Sequence, residues 1–238
     1  MAKLALIAGH SILGVEPRRG FVRREVSTER GAVCVLERDG IVLLQRHGLD
    51  QYRTAARIDH ARNFAALTAL GCDRILAISS VGSLRPELPV GTFVCPDDFI
   101  ALQLGLSLSD GHGGERVPGF DPAWRARVAA AWRGCAQPPL VEGGIYWQAI
   151  GPRFETPAEI RMIAAHADVI GMTAASECIL AGEMEVPYAV LCVVDNLANG
   201  IGEEPLSVAE FEAGKERNRG LLAGALGAVG AELAGCSA

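Results

Sequence analysis

No stretch of this 238-residue sequence reaches the ~20 apolar residues that a membrane span requires, so a membrane partner is not expected. The opening Met1-Ala2-Lys3 and Leu4–Ala8 are too short for a signal peptide, which makes the cytoplasm the expected location. Charge runs and Gln/Asn tracts are also missing. With 50% hydrophobic and 21% charged residues, that excludes a disordered chain and leaves one able to bury a sizeable core. Twenty-two Lys plus Arg stand against 28 Asp plus Glu, a formal charge of -6, and the basic residues are scattered. A nucleic-acid partner is therefore not expected either. The seven cysteines are odd in number and widely spaced, with no Cys-x-x-Cys and no Cys/His cluster. They read as reduced core residues, and no metal site is expected. No repeat and no linker breaks the chain, so residues 1–238 are expected to form a single domain.

What is present is an alternation of strand and helix signals. Leu4–Ala8 is a short apolar run that stops at Gly9-His10-Ser11, the pattern of a buried strand entering a loop. Ala32–Leu36 and Ile41–Gln45 flank an Asp-Gly pair at Asp39-Gly40, a strong hairpin signal. Ile58, Ala61, Phe64, Leu67 and Leu70 recur with helical spacing up to Gly71. Ile75–Ser79 reads as the next strand. Phe93–Ile100 reads as another, which Pro96 confines to an edge or a bulge. Ser107–Pro122 is a polar loop, Ala123–Trp132 is helical, and Gly144–Ile150 is extended. Thr156-Pro157-Ala158-Glu159 is a capping box that starts a helix running to about His166. Strands at Val169-Ile170 and Tyr188–Val194 follow, then a last helix carrying Leu222, Ala225, Leu226, Val229 and Leu233. The alternation predicts an α/β fold, a three-layer αβα sandwich around a mixed central β-sheet. Ligands of such sheets gather at the carboxyl ends of the strands, where Ser11, Ser79, Thr173 and Asn196 fall.

Gly9-His10-Ser11-Ile12-Leu13 leaves three readings open. It is a plain strand-to-loop turn, an esterase elbow with Leu13 in place of its last glycine, or an anion site built from backbone N–H groups and the Ser11 hydroxyl. Arg46 in Gln45-Arg46-His47-Gly48 offers a planar fork of donors for a phosphate, with the His47 imidazole beside it.

Gly144-Ile145-Tyr146-Trp147-Gln148-Ala149-Ile150-Gly151-Pro152-Arg153-Phe154-Glu155-Thr156 is far more specific. Together with Gln45–Gly48, Ser79–Leu84, Asp168–Thr173 and Glu177, it resembles the trimeric purine nucleoside phosphorylases. The likeness is to their methylthioadenosine and methylthioinosine phosphorylase branch. It runs over nearly the whole chain in the right order. It implies a phosphorylase-like fold, a homotrimer, and cleavage of a purine nucleoside by inorganic phosphate as co-substrate, without a metal or organic cofactor. Ser11, Arg46, Ser79 and Thr173 match phosphate-holding positions, with His47 beside them. Phe154 matches the aromatic residue against the purine, Met172 the residue under the sugar, and Val81 and Gly82 the strand end along the nucleoside. Glu155 and Asn196 match the catalytic, base-reading pair.

The residue types also bear on the choice of base. An Asn amide and a Glu carboxylate complement the carbonyl, N7 and N1–H of a 6-oxopurine, whereas adenine turns its N1 lone pair toward the carboxylate. Asp195 is next in sequence, and a one-residue shift would put it against the substrate in place of Asn196. Spacing to Ala198-Asn199-Gly200 favours Asn196. His10 and Ile12 replace two glycines of the family loop, Gln51 stands where a histidine is usual, and His112 is the histidine left in the loop at 107–122. A methylthioadenosine phosphorylase, a nucleosidase and a non-catalytic nucleoside-binding protein are the alternatives to a 6-oxopurine phosphorylase.

Overall fold

The computed structural model describes residues 3–9, 20–110, 112, 115–135, 139–202 and 206–235. At its centre lies β5 (Arg74–Ser83). The first half of one β5 edge pairs in parallel with β1 (Leu4–Ala8), and the end of that edge pairs antiparallel with β10 (Val169–Gly171). The other edge pairs in parallel with β11 (Tyr188–Leu197) along its whole length. β5 therefore outruns its apolar stretch: Gly82 and Ser83 are small residues that β10 and β11 pin at once.

Beyond β1, the sheet continues through β4 (Ile41–Gln45), β3 (Gly31–Arg38) and β2 (Val22–Thr28). The Asp39-Gly40 turn closes the expected hairpin with both residues at positive φ, 46° and 80°, which matches the twist of the flanking strands. β2 has no apolar pattern to announce it, because it is an edge strand whose one buried residue is Val26. On the far side, β10 continues into β9 (Ile145–Gln148) and β7 (Asp98–Ile100), and β11 into β6 (Phe93–Cys95) and β8 (Leu140–Glu142). The expected strand at Phe93–Ile100 is thus two strands joining different branches. Pro96, which has no N–H for a ladder, separates them.

Strand alternation sends Ala5 and Ile7 to one face and Leu4, Leu6 and Ala8 to the other. On the first face, α1 (His60–Ala69) and α4 (Ala174–Glu183) bury Phe64, Leu67 and Leu180 against Ile7, Val190 and Cys192. On the second, α2 (Pro122–Cys135) and α5 (Val208–Gly235) bury Trp124, Val128, Leu222 and Leu226 against Leu4, Leu76 and Leu191. The three-layer α/β sandwich around a mixed sheet is as expected. α3 (Pro157–Ile163) begins at the expected capping box and packs Ile160 and Ile163 on Leu84, Ile170 and Ala198. α5 starts well before Leu222, because its first half is polar and is docked by close contacts rather than by an apolar stripe. The six described cysteines are free thiols, and burial raises Cys72, Cys95 and Cys178 to about 12, 11 and 12. No helix among the described residues is long and apolar enough to cross a membrane.

Candidate active site

A cavity of about 410 Å³ opens where β1, β4, β5, β10 and β11 end. That is large enough for a nucleoside-sized ligand. Arg46 follows the last residue of β4, its backbone N–H donating to the Ala8 carbonyl and its carbonyl accepting from the Asn63 amide. Its side chain is almost fully buried. Nε and Nη2 donate to the two oxygens of Glu177 at 2.6 and 3.1 Å, and Nη1 donates to the Ile78 carbonyl at 2.6 Å. Burial opposes the guanidinium charge, and Glu177 more than restores it, so the Arg46 pKa stands above the ordinary value. The fork expected to face a phosphate is therefore bidentate on Glu177 from α4, and Tyr188 also donates to that carboxylate at 2.9 Å. One N–H on each terminal nitrogen remains, and Nη1 lies against Gly9 on the cavity wall. His47, also on the wall, holds the Arg53 carbonyl through Nδ1 at 2.7 Å and stacks on Tyr52 with centroids 5.0 Å apart.

Ser79 and Thr173 reach the cavity from the end of the β5 apolar run and from the N-cap of α4. Behind them lies the phenol of Tyr146, a fully buried β9 residue, which accepts from the backbone N–H groups of Thr173 and Ala174 at 3.2 and 3.3 Å. Burial raises the phenol to about 12, so it keeps its proton.

At the end of β11 the register against β5 shifts between Val194 and Asn196. Asp195 is the extra residue of this bulge. Bulges turn side chains out of strict alternation, and the Asn196 amide lines the cavity, donating to the Leu197 carbonyl at 2.8 Å. Asp195, expected among the nucleoside-binding residues, lies behind the wall instead. Its carboxylate accepts from Ser80 on β5 and from Asn218 on α5, the latter at 2.6 Å. The backbone of α5 presses so close here that a Cβ on Gly214 would overlap the Asp195 carbonyl oxygen.

Val81, Gly82, Phe154, Glu155 and Met172 also line the cavity. Phe154 meets Phe211 of α5 edge-on with centroids 5.6 Å apart. Burial pushes the Glu155 carboxyl above its ordinary range. Ser11, with His10 and Ile12, lies outside the described residues. Gln51 and His112 are exposed and do not line the cavity. The sequence reading missed Tyr52, Thr54, Phe211, Glu212 and Lys215 on the wall. Of these, Lys215 had a local signal: Glu212 and Phe211 three and four residues earlier pair with its ammonium, at 2.8 Å and 4.7 Å. Among the described residues no group of three His, Cys, Asp or Glu side chains is placed to hold a metal ion.

Residues 14–229 match the phosphorylase superfamily. The chain belongs to that family. A probable 6-oxopurine nucleoside phosphorylase from Archaeoglobus fulgidus is 35% identical to this superfamily member over 92% of each chain. A probable S-methyl-5'-thioinosine phosphorylase from Methanocaldococcus jannaschii is 33% identical over 92% of this chain and 88% of its own. The solved structure of methylthioadenosine phosphorylase from Schistosoma mansoni with adenine superposes with a TM-score of 0.81 at 24% identity, covering 100% of this chain and 93% of that one. At that identity it shows the shared phosphorylase fold.

Proposed function

We propose that this chain cleaves 6-oxopurine nucleosides with inorganic phosphate, the nucleoside being methylthioinosine or inosine and guanosine, and the products the free base and the ribose 1-phosphate. The observation that carries this reading is the bulge at the end of β11, which turns the Asn196 amide toward the cavity shared with Glu155 and buries the Asp195 carboxylate behind it. Asn196 donates to the 6-carbonyl and accepts from protonated N7, while Glu155 accepts from N1–H. The C1′–N9 bond breaks as a phosphate oxygen bonds to C1′, through an oxocarbenium-like sugar. Charge gathers on the departing purine, and the hydrogen bond at N7 stabilises it. Phe154, backed by Phe211, lies against the base, and Met172 lies under the sugar. Ser79, Thr173 and Arg46 hold the phosphate, together with Ser11. The relatives in A. fulgidus and M. jannaschii are named for 6-oxopurine and methylthioinosine substrates, which agrees with this pairing.

The assembly that fits this reading is a homotrimer. Leu102, Ile150 and Met162 are 77%, 53% and 57% exposed around a groove that shares Glu155 with the cavity. The test is base release from inosine, guanosine, methylthioinosine and methylthioadenosine, each with and without phosphate. Phosphate-dependent release that favours the 6-oxopurines is expected. Equal release without phosphate, or a preference for methylthioadenosine, would overturn the reading. Asn196→Asp is expected to shift preference toward the 6-aminopurine, and Asp195→Asn to leave it nearly unchanged.

A further inference from the structure

Lys215 of α5 puts an ammonium on the cavity wall, on a side chain that is only 7% exposed. Nζ donates to both oxygens of Glu212 at 2.8 Å and lies over the Phe211 ring, 4.7 Å from its centroid. No acceptor among the described residues takes its third N–H. An ion pair on a solvated helix face contributes little. This pair differs in its setting, because the lysine is buried, the carboxylate is open, and both line the cavity. The wall here offers a donor and an acceptor side by side, and neither is used by the residues assigned to the phosphate or the base.

Stereochemistry places this wall against one part of the substrate. In a β-nucleoside the base and C5′ project from the same face of the ribose. A nucleophile that displaces the base in line reaches C1′ from the opposite face, on which the 2′- and 3′-hydroxyls lie. The phosphate residues Arg46 and Thr173 belong with α1 and α4, in one helical layer: Arg46 is tied to Asn63 and Glu177, and Thr173 is the N-cap of α4. α5 comes from the other layer, and its Phe211 meets the base wall edge-on at Phe154, with centroids 5.6 Å apart. Glu212 and Lys215 therefore lie on the base side of the sugar, which is the side that carries the 5′-substituent.

Resting on the phosphorolysis reading, we infer that the Glu212–Lys215 pair recognises the 5′-hydroxyl of the nucleoside, which makes inosine and guanosine the substrates in preference to methylthioinosine. The hydroxyl donates to the Glu212 carboxylate and accepts the third N–H of Lys215. A methylthio group has no proton to donate and a sulfur that accepts weakly. It would strip water from both charges and replace none of the lost hydrogen bonds. A site built to hydrogen-bond a hydroxyl rejects the analogue that lacks it far more strongly than an apolar pocket sorts its ligands by size.

The test is kcat/KM at saturating phosphate for inosine, 5′-deoxyinosine, methylthioinosine and 2′-deoxyinosine, four nucleosides with one base. In the wild type, 5′-deoxyinosine and methylthioinosine are expected to fall about tenfold or more below inosine, the loss of a hydrogen bond to a charged group. Lys215→Met keeps an unbranched stem of similar length and removes the charge. It is expected to lower inosine by a similar factor and to leave methylthioinosine unchanged or improved, while the ratio of inosine to 2′-deoxyinosine stays within about twofold of wild type. Wild-type enzyme that cleaves 5′-deoxyinosine or methylthioinosine as efficiently as inosine would overturn the inference, whether or not any variant folds. An equal loss on all four nucleosides in Lys215→Met would show that the pair only supports α5, and a change confined to the 2′-deoxyinosine ratio would put it on the wrong face of the sugar. Base release without phosphate would remove the phosphorolysis reading, whereas phosphate-dependent release with no 5′ preference would remove this inference alone.

Discussion

If Glu155 meets the base as proposed, its ionisation decides which base the cavity accepts. Burial raises its carboxyl pKa, the neighbouring Glu159 adds to this, and its own backbone N–H and Arg153 pull the other way without cancelling it. The proton therefore stays on Glu155 to a higher pH than on a free glutamate. As pH falls through that raised value, the carboxylate that accepts from N1–H of a 6-oxopurine becomes an acid. An acid can donate to the N1 lone pair of an aminopurine. Inosine kcat/KM is thus expected to fall on the acid side while the adenosine-to-inosine ratio climbs, and Glu155→Gln is expected to abolish the change in ratio. Parallel pH profiles between about 5 and 8 check this. A ratio independent of pH in the wild type would place the carboxylate away from N1.

Among the elements, α5 shows where apolar pattern stops carrying information. Its second half was legible from Leu222, Leu226, Val229 and Leu233, which pack on β1 and α2. Its first half brings Phe211, Glu212 and Lys215 to the cavity, and no stripe marks it, because that half docks through Gly214 on the Asp195 carbonyl and Asn218 on the Val194 carbonyl at 3.0 Å. Contacts made by a missing Cβ and by one amide leave no periodicity. The same limit hid β2, an exposed edge strand, and the fork at β5, where one strand serves three partners. The motif segments were legible because their chemistry is local: the Thr156–Glu159 capping box and the Asp39-Gly40 turn form as written. Asn196 facing the cavity was favoured by spacing, but the bulge that turns it there lies in β11 pairing and was not visible. Gly214→Ala tests the docking. Helix propensity favours alanine by ~1 kcal/mol, while overlap with rigid backbone costs about 1–3 kcal/mol or more. A net loss in urea denaturation is expected, with weakened discrimination between inosine and adenosine as Asn196 shifts. Gly220→Ala, on the same helix with nothing within 4 Å of a new Cβ, is expected to gain up to about 1 kcal/mol. Equal behaviour of the two variants would mean that α5 rides clear of β11.

Taken whole, the molecule closes its cavity only when every layer is assembled, since β5 and β11 form the floor, α4 supplies Thr173 from one helical layer, and α5 supplies Phe211 and Lys215 from the other. A ligand there binds the native state alone, so phosphate raises the unfolding temperature by mass action. The Arg46–Glu177 pair gives this linkage a sharper form, because it ties β4 to α4 across 131 residues of sequence and is almost completely buried. Removing one partner of a buried pair strands the other charge at a cost of about 3–5 kcal/mol. Glu177→Gln is therefore expected to lower Tm by roughly 6–20 °C, at ~2–4 °C per kcal/mol for a chain of this size. If the remaining N–H groups of Arg46 face the phosphate, the anion restores a counter-charge to the stranded guanidinium. Phosphate should then raise the Tm of Glu177→Gln by more degrees than that of the wild type at the same concentration, which thermal denaturation at a series of phosphate concentrations measures directly. Sulfate, of similar shape and charge, is expected to follow the same order. Equal shifts in both proteins would place the bound anion out of reach of Arg46 and leave the buried pair a purely structural tie between the strand and the helix.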